Sequence, residues 1–450
     1  MKKSFYQIVI VGAGPAGLFA AWELMTQGVQ GVVVLEKGPE VEKRGRRQVM
    51  FGVGGAGLYS DGKLILSPSY GKTNILEFVS SGEGEKIIQK IEAVFRGVGV
   101  KERAYPHDMK KALALKTECQ RHGIDMLLVR QLHLGSDRGA IYIGNIVKKL
   151  QQGGVKIRPQ TKVVSFKKKN GKIVSVLTEK GEEFKGKYFL VAPGRAGNMW
   201  LSQEAESLGL KLEYRPIEIG VRIETTKEIL AKVCQIIYEP ALVFYTQTYD
   251  DYVRTFCVVP QGFVVKERYR DFISVNGHAY KNKSSTNGNF ALLTKVNLSE
   301  PVTNTIAYGE SICHLANTIG AGRPILQRYG DFRRRRRSTW RRLEKSFVSP
   351  TLSEVTPGDI SMAFPYRIVA NLKEGIEKVN QIIPGVAADD TLLYAPEVKF
   401  YSARLEVDSS LRTRIDNLFV AGDGAGVSGN IVGAAATGMI AAQGILASLR

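Results

Sequence analysis

Residues 7 to 17, Gln-Ile-Val-Ile-Val-Gly-Ala-Gly-Pro-Ala-Gly, decide the fold of this chain. The first five form a continuous apolar, largely β-branched run that is typical of a buried parallel strand, and helical spacing of apolar residues then extends from Leu18 to Leu24. A second such strand runs from Gly31 to Leu35 and ends at Glu36. This order predicts one βαβ unit with a right-handed connection.

The turn Gly12-Ala13-Gly14-Pro15-Ala16-Gly17 predicts a dinucleotide site. Gly12 permits the tight turn, Gly14 lets a pyrophosphate approach the backbone, and Gly17 permits close packing of the helix on the sheet. The helix N-terminus offers N–H groups and about half a positive charge. Glu36 can accept hydrogen bonds from ribose hydroxyls. The alternative is a tight strand-to-helix turn that binds no ligand.

A second segment near the C-terminus favours FAD over NAD. Leu418-Phe-Val-Ala-Gly-Asp423 places a carboxylate directly after a strand, where it can bind a ribityl chain. A glycine-rich helix follows, and its N-terminus, near Gly429, Asn430 and Ile431, can stabilise negative charge at flavin N1 and O2. NAD-binding enzymes have no use for this element. A buried glycine-rich helix without a ligand is the alternative.

The segment Gly52-Val-Gly54-Gly55-Ala56-Gly57 also has GxGxxG spacing, but no strand precedes it. It therefore does not predict a second dinucleotide-binding fold. We expect the N–H groups of this loop to lie near flavin N5 and O4, and Ser60, Asp61 and Lys63 to lie on the substrate side. A plain flexible loop is the alternative.

Several motifs along nearly the whole chain resemble known flavoproteins. Gly12 to Gly17 with Glu36-Lys37, Val191-Ala-Pro-Gly194-Arg195, and Ala421-Gly422-Asp423-Gly-Ala-Gly426 are similar to the three FAD signatures of the p-hydroxybenzoate-hydroxylase-like flavoprotein superfamily. Four longer motifs resemble the uncharacterised FAD-dependent dehydrogenase family within it: residues 54–64, 133–137, 193–200 and 218–222. The resemblance implies the glutathione-reductase fold and FAD, and it implies no particular substrate.

Two positions depart from the family pattern. Gly429-Asn430 stands where a Gly-Gly pair is expected, and Asp423 stands where the family often has glutamate. Both substitutions still suit FAD. The cofactor-binding candidates are Gly12, Ala13, Gly14, Pro15, Ala16, Gly17, Glu36, Lys37, Gly54, Gly55, Ala56, Gly57, Ser60, Val163, Gly194, Gly422, Asp423, Gly429, Asn430 and Ile431. No metal site and no catalytic residue is assigned; His133 or His278 could act as an acid or base, but structural histidines are commoner.

The length of 450 residues predicts at least two domains. We expect the α/β class: a discontinuous Rossmann-like FAD-binding domain of glutathione-reductase type, from residues 1–204 and 386–450, with an inserted β-rich substrate domain at 205–385. The composition, 44% hydrophobic and 24% charged, is that of a soluble globular protein. No stretch reaches the roughly 18 uninterrupted apolar residues of a membrane helix, and we expect a cytoplasmic protein.

The net charge indicates which partners the protein attracts, and the cysteine spacing limits the redox reactions it can carry out. Sixty-three basic against 43 acidic residues give a net charge of +20, which should attract anions. Asp331-Phe-Arg-Arg-Arg-Arg-Arg337 with Arg341-Arg342 places seven arginines within ten residues. Such a run must be exposed or paired: a solvated face, a peripheral contact of Arg333–Arg337 with an anionic surface, and a less favoured nucleic-acid contact all fit it. The four cysteines include no CxxC pair, which excludes a dithiol mechanism.

Together these features predict an FAD-dependent oxidoreductase that transfers hydride between flavin N5 and an apolar or acidic organic substrate. Three alternatives stay open. One is a flavin monooxygenase, and another is an RNA-modifying flavoprotein, which the net charge and the arginine run favour. The third is a non-catalytic partner-binding protein of the kind represented by the Rab GDP-dissociation inhibitors, against which the intact FAD signatures argue.

Overall fold

The computed structural model describes residues 5–45, 50–59, 62–134, 138–269, 271–280, 283–299 and 304–449. They form two compact units. The first unit comprises Met1–Ala104, Val129–Glu213 and Ser402–Arg450, and the second comprises Tyr105–Leu128 and Tyr214–Tyr401. The first unit is therefore built from three separate segments of the chain, as a discontinuous domain requires.

The helices are α1 (Pro15–Thr26), α2 (Ser81–Gly97), α3 (Met109–Arg121), α4 (Gly139–Gln152), α5 (Asn198–Ser207), α6 (Lys227–Cys234), α7 (Thr305–Ile319), α8 (Tyr329–Arg333), α9 (Trp340–Leu343), α10 (Tyr366–Asn380) and α11 (Ile431–Leu449). The strands are β1 (Phe5–Val11), β2 (Val32–Leu35), β3 (Lys63–Leu66), β4 (Ser69–Tyr70), β5 (Thr73–Asn74), β6 (Asp125–Leu127), β7 (Arg130–His133), β8 (Lys156–Arg158), β9 (Val163–Lys169), β10 (Lys172–Thr178), β11 (Glu183–Val191), β12 (Leu212–Glu213), β13 (Ile217–Thr226), β14 (Ala241–Tyr245), β15 (Tyr252–Val259), β16 (Phe263–Arg268), β17 (Ile273–His278), β18 (Asn287–Val296), β19 (Ile325–Arg328), β20 (Thr356–Pro357), β21 (Leu392–Lys399), β22 (Arg404–Leu405) and β23 (Leu418–Val420).

The first unit is built on a sheet in the order β8-β2-β1-β11-β10-β9, with β23 also pairing β11. The pairs β8–β2, β2–β1, β1–β11 and β11–β23 are parallel, and β9, β10 and β11 form an antiparallel meander. Ile8, Val9 and Ile10 are completely buried, as a central strand covered on both faces requires. The pairing of β23 with β11 brings the C-terminal segment beside the N-terminal glycine turn.

Helix α11 packs directly on α1. A Cβ on Gly438 would lie 2.0 Å from the Ala16 carbonyl oxygen, so only glycine allows the two backbones to approach this closely. Among the described residues, α11 is the one helix long and apolar enough to cross a membrane, and 67% of its apolar window is buried. A core helix of this kind is apolar on every side because it is surrounded by protein.

The second unit contains an eight-stranded sheet in the order β20-β19-β21-β13-β18-β15-β14-β6. Ile219, Val221 and Ile223 of β13 face one hydrophobic core of this unit. The unit boundaries differ from the expected 205–385 domain at three places. Strand β6 pairs with β14, and β21 pairs with β13, so residues 105–128 and 386–401 belong to the second unit. Residues 205–213 belong to the first unit.

Candidate cofactor site

The glycines of the β1–α1 turn serve different purposes. Gly12 has φ of +105°, and a Cβ there would lie 2.1 Å from the Ala192 carbonyl oxygen. A Cβ on Gly17 would lie 1.9 Å from the Gly12 carbonyl oxygen. The fold alone therefore requires glycine at both positions.

Gly14 is different, because the protein leaves room for a side chain there. Its φ of −78° suits any residue, and a Cβ at this position would have the Gly55 Cα, at 3.8 Å, as its nearest neighbour, which is an ordinary contact. Gly14 is the N-cap residue of α1, and Pro15 begins the helix. Because glycine has no side chain to accept from the first N–H groups of the helix, this terminus fits the close approach of a pyrophosphate.

Glu36 holds the walls of this turn together. Its side chain is buried, Oε2 accepts from the Ala13 N–H at 2.9 Å, and Oε1 accepts from the N–H groups of Gly38 and Gly52, each at 2.9 Å. A carboxylate offers about four acceptor positions. Glu36 therefore retains about one for a ribose hydroxyl, and its principal role within the protein is to join the two glycine-rich loops.

The second glycine-rich loop, residues 52–57, lies between the N-termini of α1 and α11. The Gly54 N–H donates to the Ala13 carbonyl oxygen at 2.8 Å. A Cβ on Gly55 would lie 3.0 Å from the Gly14 Cα, and one on Gly57 would lie 3.1 Å from Cγ1 of Ile431. The placement of this loop near flavin N5 and O4 stays a prediction, and Ser60 and Asp61 lie outside the described residues.

Arg44, which no sequence motif indicated, shapes this loop. Its guanidinium is buried and donates to the carbonyl oxygens of Val53 at 2.9 Å and Gly55 at 2.8 Å. Because these carbonyls turn toward Arg44, the loop backbone is held in one conformation. Arg44 is one of three arginines before the glycine-dense stretch, and its two partners lie nine and eleven residues away in an irregular loop that no periodicity describes.

The N-terminus of α11 is fixed by Asn430 and Thr73. The Asn430 Oδ1 accepts from the Gly433 N–H at 2.7 Å, which is a helix N-cap. The buried Thr73 Oγ1 accepts from the Gly429 N–H and from the Asn430 Nδ2, both at 3.0 Å. Asparagine in place of the expected glycine thus stabilises the helix start. Thr73, 357 residues from Asn430, gave no signal in the sequence.

Asp423 and Gly194 meet at the ends of β23 and β11. A Cβ on Gly424 would lie 2.3 Å from the Gly194 carbonyl oxygen, and Gly422 and Gly194 both have positive φ, +82° and +65°. Asp423 Oδ2 accepts from the Arg195 Nε at 2.9 Å. The proposed contact of Asp423 with a ribityl chain therefore has to coexist with this ion pair.

The remaining candidates lie near the end of β2. Lys37 donates to the Ala196 carbonyl oxygen at 3.3 Å and lies 5.4 Å from the centroid of the Phe51 ring, and partial burial lowers its pKa. Val163 is buried at the start of β9. Two residues earlier, the Thr161 N–H donates to the Glu36 carbonyl oxygen at 2.7 Å. Ala16 is buried in α1 beside α11.

The cysteines and histidines contribute no defined catalytic group. All four cysteines are free thiols, and burial raises the pKa of Cys119 to about 11 and those of Cys234 and Cys313 to about 12. His133 ends β7, and His278 ends β17 with its ring centroid 4.4 Å from that of Tyr280. An acid or base role for either histidine stays a prediction.

The second unit carries a row of buried charges along β13 that the sequence shows only as alternation. Glu218 accepts a bidentate pair from Arg254, with both contacts at 2.7 Å. Arg222 is completely buried and donates to both oxygens of Glu397, at 2.8 and 2.7 Å. Each charge is thereby neutralised on the face of the strand opposite its apolar core.

Comparisons with known proteins agree with the features of both units. Residues 6–50 match a family model described as an FAD binding domain, and residues 216–400 match one described as an FAD-dependent protein, C-terminal domain-like. An uncharacterized protein of Clostridium beijerinckii is 25% identical over 97% of this chain and 80% of its own length.

Solved structures similar to this chain include several flavoenzymes. The 3-ketosteroid-Δ4-(5α)-dehydrogenase of Rhodococcus jostii RHA1 is 12% identical, with a TM-score of 0.45 over 98% of this chain and 96% of that one. The glycerol-3-phosphate dehydrogenase of Bacillus halodurans, complexed with FAD, is 11% identical, with a TM-score of 0.41 over 100% and 66% of the two chains.

The first family model covers the glycine turn of the first unit, and the second covers β13 and the sheet of the second unit. The bare Gly14 backbone, the capped α11 and the joined glycine-rich loops fit a flavin dinucleotide. FAD is the cofactor, the fold is the Rossmann-type flavoprotein fold, and the two matched regions are similar to FAD-dependent proteins.

Proposed function

We propose that this protein is an FAD-dependent oxidoreductase that transfers hydride between flavin N5 and an apolar or acidic organic substrate. The observation that carries the proposal is Gly14. Its backbone conformation and its surroundings would accept a side chain, and the absence of one suits a ligand that comes close to the backbone.

The chain supplies binding and electrostatics for this reaction. The N-terminus of α1 meets the pyrophosphate, and the carboxylate of Glu36 offers its remaining acceptor position to the adenosine ribose. The N-terminus of α11 carries a partial positive charge that favours electron-rich groups beside it. Thr73 and Asn430 hold that terminus in place. FAD, when bound, supplies the two-electron redox centre.

The net charge supports an acidic substrate, and the state of the thiols supports direct transfer to the cofactor. A net charge of +20 steers acidic molecules toward the protein. The cysteines whose thiol pKa values burial raises to about 11 and 12 are protonated near neutral pH, which argues against thiol chemistry in the transfer step. The electrons therefore pass between the substrate and the cofactor directly.

The test begins with the cofactor and continues with the reaction. Purified protein should be yellow and should release FAD, rather than FMN or NAD, on denaturation. The holoprotein is then mixed without oxygen with a panel of organic acids and apolar alcohols, amines and ketones, and loss of the oxidised-flavin absorbance is recorded. A substrate deuterated at the reacting carbon should slow that loss severalfold.

Two results would contradict the proposal. A colourless protein that FAD cannot reconstitute would exclude the cofactor site. Incorporation of labelled molecular oxygen into the product would identify a monooxygenase instead.

A further inference from the structure

The loop after α8 and the short helix α9 form a surface that the cofactor site does not use. We call its exposed residues, Arg333 to Arg337, Trp340, Arg341, Arg342 and Phe347, the basic aromatic patch. The loop is fixed from below: the buried Asp331 accepts from the Ser338 hydroxyl at 2.7 Å, and Gln327 donates to the Arg336 carbonyl oxygen at 2.8 Å. The arginines are therefore displayed on a rigid support.

The ion pairs of this patch do not balance its charge. Arg333 and Arg334 contact Asp389 at 2.8 and 2.7 Å. Arg336 and Arg342 contact Asp331 at 2.7 and 3.9 Å. Among the described residues, no ion pair reaches the other three arginines of the run, Arg335, Arg337 and Arg341. Seven arginines against two aspartates leave an excess of five positive charges.

Large apolar side chains stand beside these charges. Phe347 is 92% exposed and Trp340 is 51% exposed. Leu343 and Val348 are buried in the core beneath, so the segment is packed and its two aromatic side chains are left outside. Hydrogen-bonded turns continue from Trp340 to Ser346, directly before Phe347.

The apolar surface extends beyond the aromatic residues. The Ser338 N–H donates to the Gly358 carbonyl oxygen at 2.9 Å, which brings the following turn beside the patch. That turn carries Met362, 65% exposed, and Tyr366, 69% exposed, begins α10. Surfaces that enter a lipid interface typically combine basic residues with tryptophan, tyrosine and exposed apolar side chains. The basic aromatic patch and the adjacent Met362 and Tyr366 have this composition.

We propose that the basic aromatic patch docks this protein on an anionic lipid membrane. The arginines contact headgroup phosphates, and Trp340 and Phe347 insert at the boundary between headgroups and acyl chains. Charge complementarity favours an anionic surface, and the exposed, non-planar thioether side chain of Met362 favours lipid over RNA, because base recognition uses stacking on planar groups.

The experiment measures sedimentation of the FAD-loaded protein with vesicles of phosphatidylcholine containing one third phosphatidylglycerol. The triple variant Arg335→Gln/Arg337→Gln/Arg341→Gln should bind roughly 100-fold more weakly, since each cation near an anionic surface contributes about a fivefold step. Phe347→Ser should bind roughly tenfold more weakly. Pure phosphatidylcholine vesicles should bind neither variant nor the wild type appreciably.

The matched control is Lys168→Gln/Lys169→Gln/Lys172→Gln, which removes the same charge from exposed residues at the β9–β10 hairpin. It should bind vesicles within about twofold of wild type if the patch, rather than net charge, is responsible. In wild type, vesicles should shift the tryptophan emission to shorter wavelength. Trp340→Phe should lose that shift and retain binding.

Failure of wild type to bind anionic vesicles would overturn the proposal, as would equal losses in the patch variant and its control. Binding of single-stranded RNA that the patch variant alone loses, without vesicle binding, would assign the surface to nucleic acid. Self-association abolished by Phe347→Ser, again without vesicle binding, would assign it to a second copy. FAD content and thermal unfolding of each variant separate these results from misfolding, and Phe347→Ser tests the surface if the triple variant does not fold.

Discussion

Gly12 and Gly14 are two residues apart, yet different physical constraints require each to be glycine. A side chain at Gly12 meets the backbone of Ala192, and the conformation at +105° excludes ordinary residues. A side chain at Gly14 meets only open space and the Gly55 Cα at 3.8 Å. The folded chain requires the first glycine, and we propose that the ligand requires the second.

Substitution should separate these requirements. Gly14→Ala is expected to fold, with less than about 1 kcal/mol lost from the free energy of unfolding, and to lose most bound FAD because its methyl group occupies the pyrophosphate position. Gly12→Ala should instead lose several kcal/mol of stability, about 2–5 kcal/mol, through backbone strain and overlap. Urea unfolding and FAD content measure both. A Gly14→Ala protein with full FAD content would contradict the assignment.

At the scale of one element, β13 shows how a buried strand accommodates charge. Arg222 and Glu397 are both fully buried and joined by two hydrogen bonds, while Lys399 adds a contact to Glu397 at 2.9 Å. Glu224 lies two residues further along the same face, accepts from Thr351 and Tyr394, and has its pKa raised by burial. One carboxylate is therefore paired with two cations, whereas burial raises the pKa of the other.

Two isosteric changes on this face should have different effects. Glu397→Gln leaves the Arg222 charge buried without its partner and should cost about 3–5 kcal/mol in the free energy of unfolding. Glu224→Gln replaces a carboxyl whose pKa is raised by burial, so loss of its charge should cost less than about 1 kcal/mol. Urea unfolding of the two variants at one pH measures the difference; equal costs would contradict the distinction.

The stability of Glu224→Gln relative to wild type should change with pH in a defined direction. Because the folded-state pKa of Glu224 is raised, its contribution to stability is complete below the unfolded pKa of about 4.3 and is lost as pH rises through the folded value. Glutamine does not titrate. The stability of the variant relative to wild type should therefore increase as the pH rises above about 4.3, measured in the same unfolding experiment.

At the scale of the whole molecule, two units with separate cores share one chain. The first unit contains the glycine turn, α1 and α11, and the second contains the eight-stranded sheet. A ligand stabilises the structure that binds it by mass action, about 2.7 kcal/mol at a concentration of about 100 times Kd. FAD should therefore protect the first unit in particular.

Removal of FAD should expose this difference in hydrogen exchange. We expect amides of α1 and of the first turns of α11 to exchange up to about 100-fold faster in the apoprotein. Amides in the middle of β18, at the centre of the second unit's sheet, serve as the internal control and should change far less. An equal change in exchange rate in both units would contradict a cofactor site at the glycine turn and α11.

The sequence alone determined the βαβ unit, its glycine turn and the cofactor, because each rests on local information. A strand period, a helix period and the freedom of glycine are readable over a dozen residues. Tertiary structure alone decided which distant side chains pair with one another. Thr73 contacts Asn430 across 357 residues at the start of α11, and Arg222 contacts Glu397 across 175 residues in the sheet of the second unit. Glu36, expected to serve the ligand, directs three acceptor positions to the backbone of two loops. Hydrogen-bond partners at such separations depend on how the strands pair, and no local pattern records that pairing.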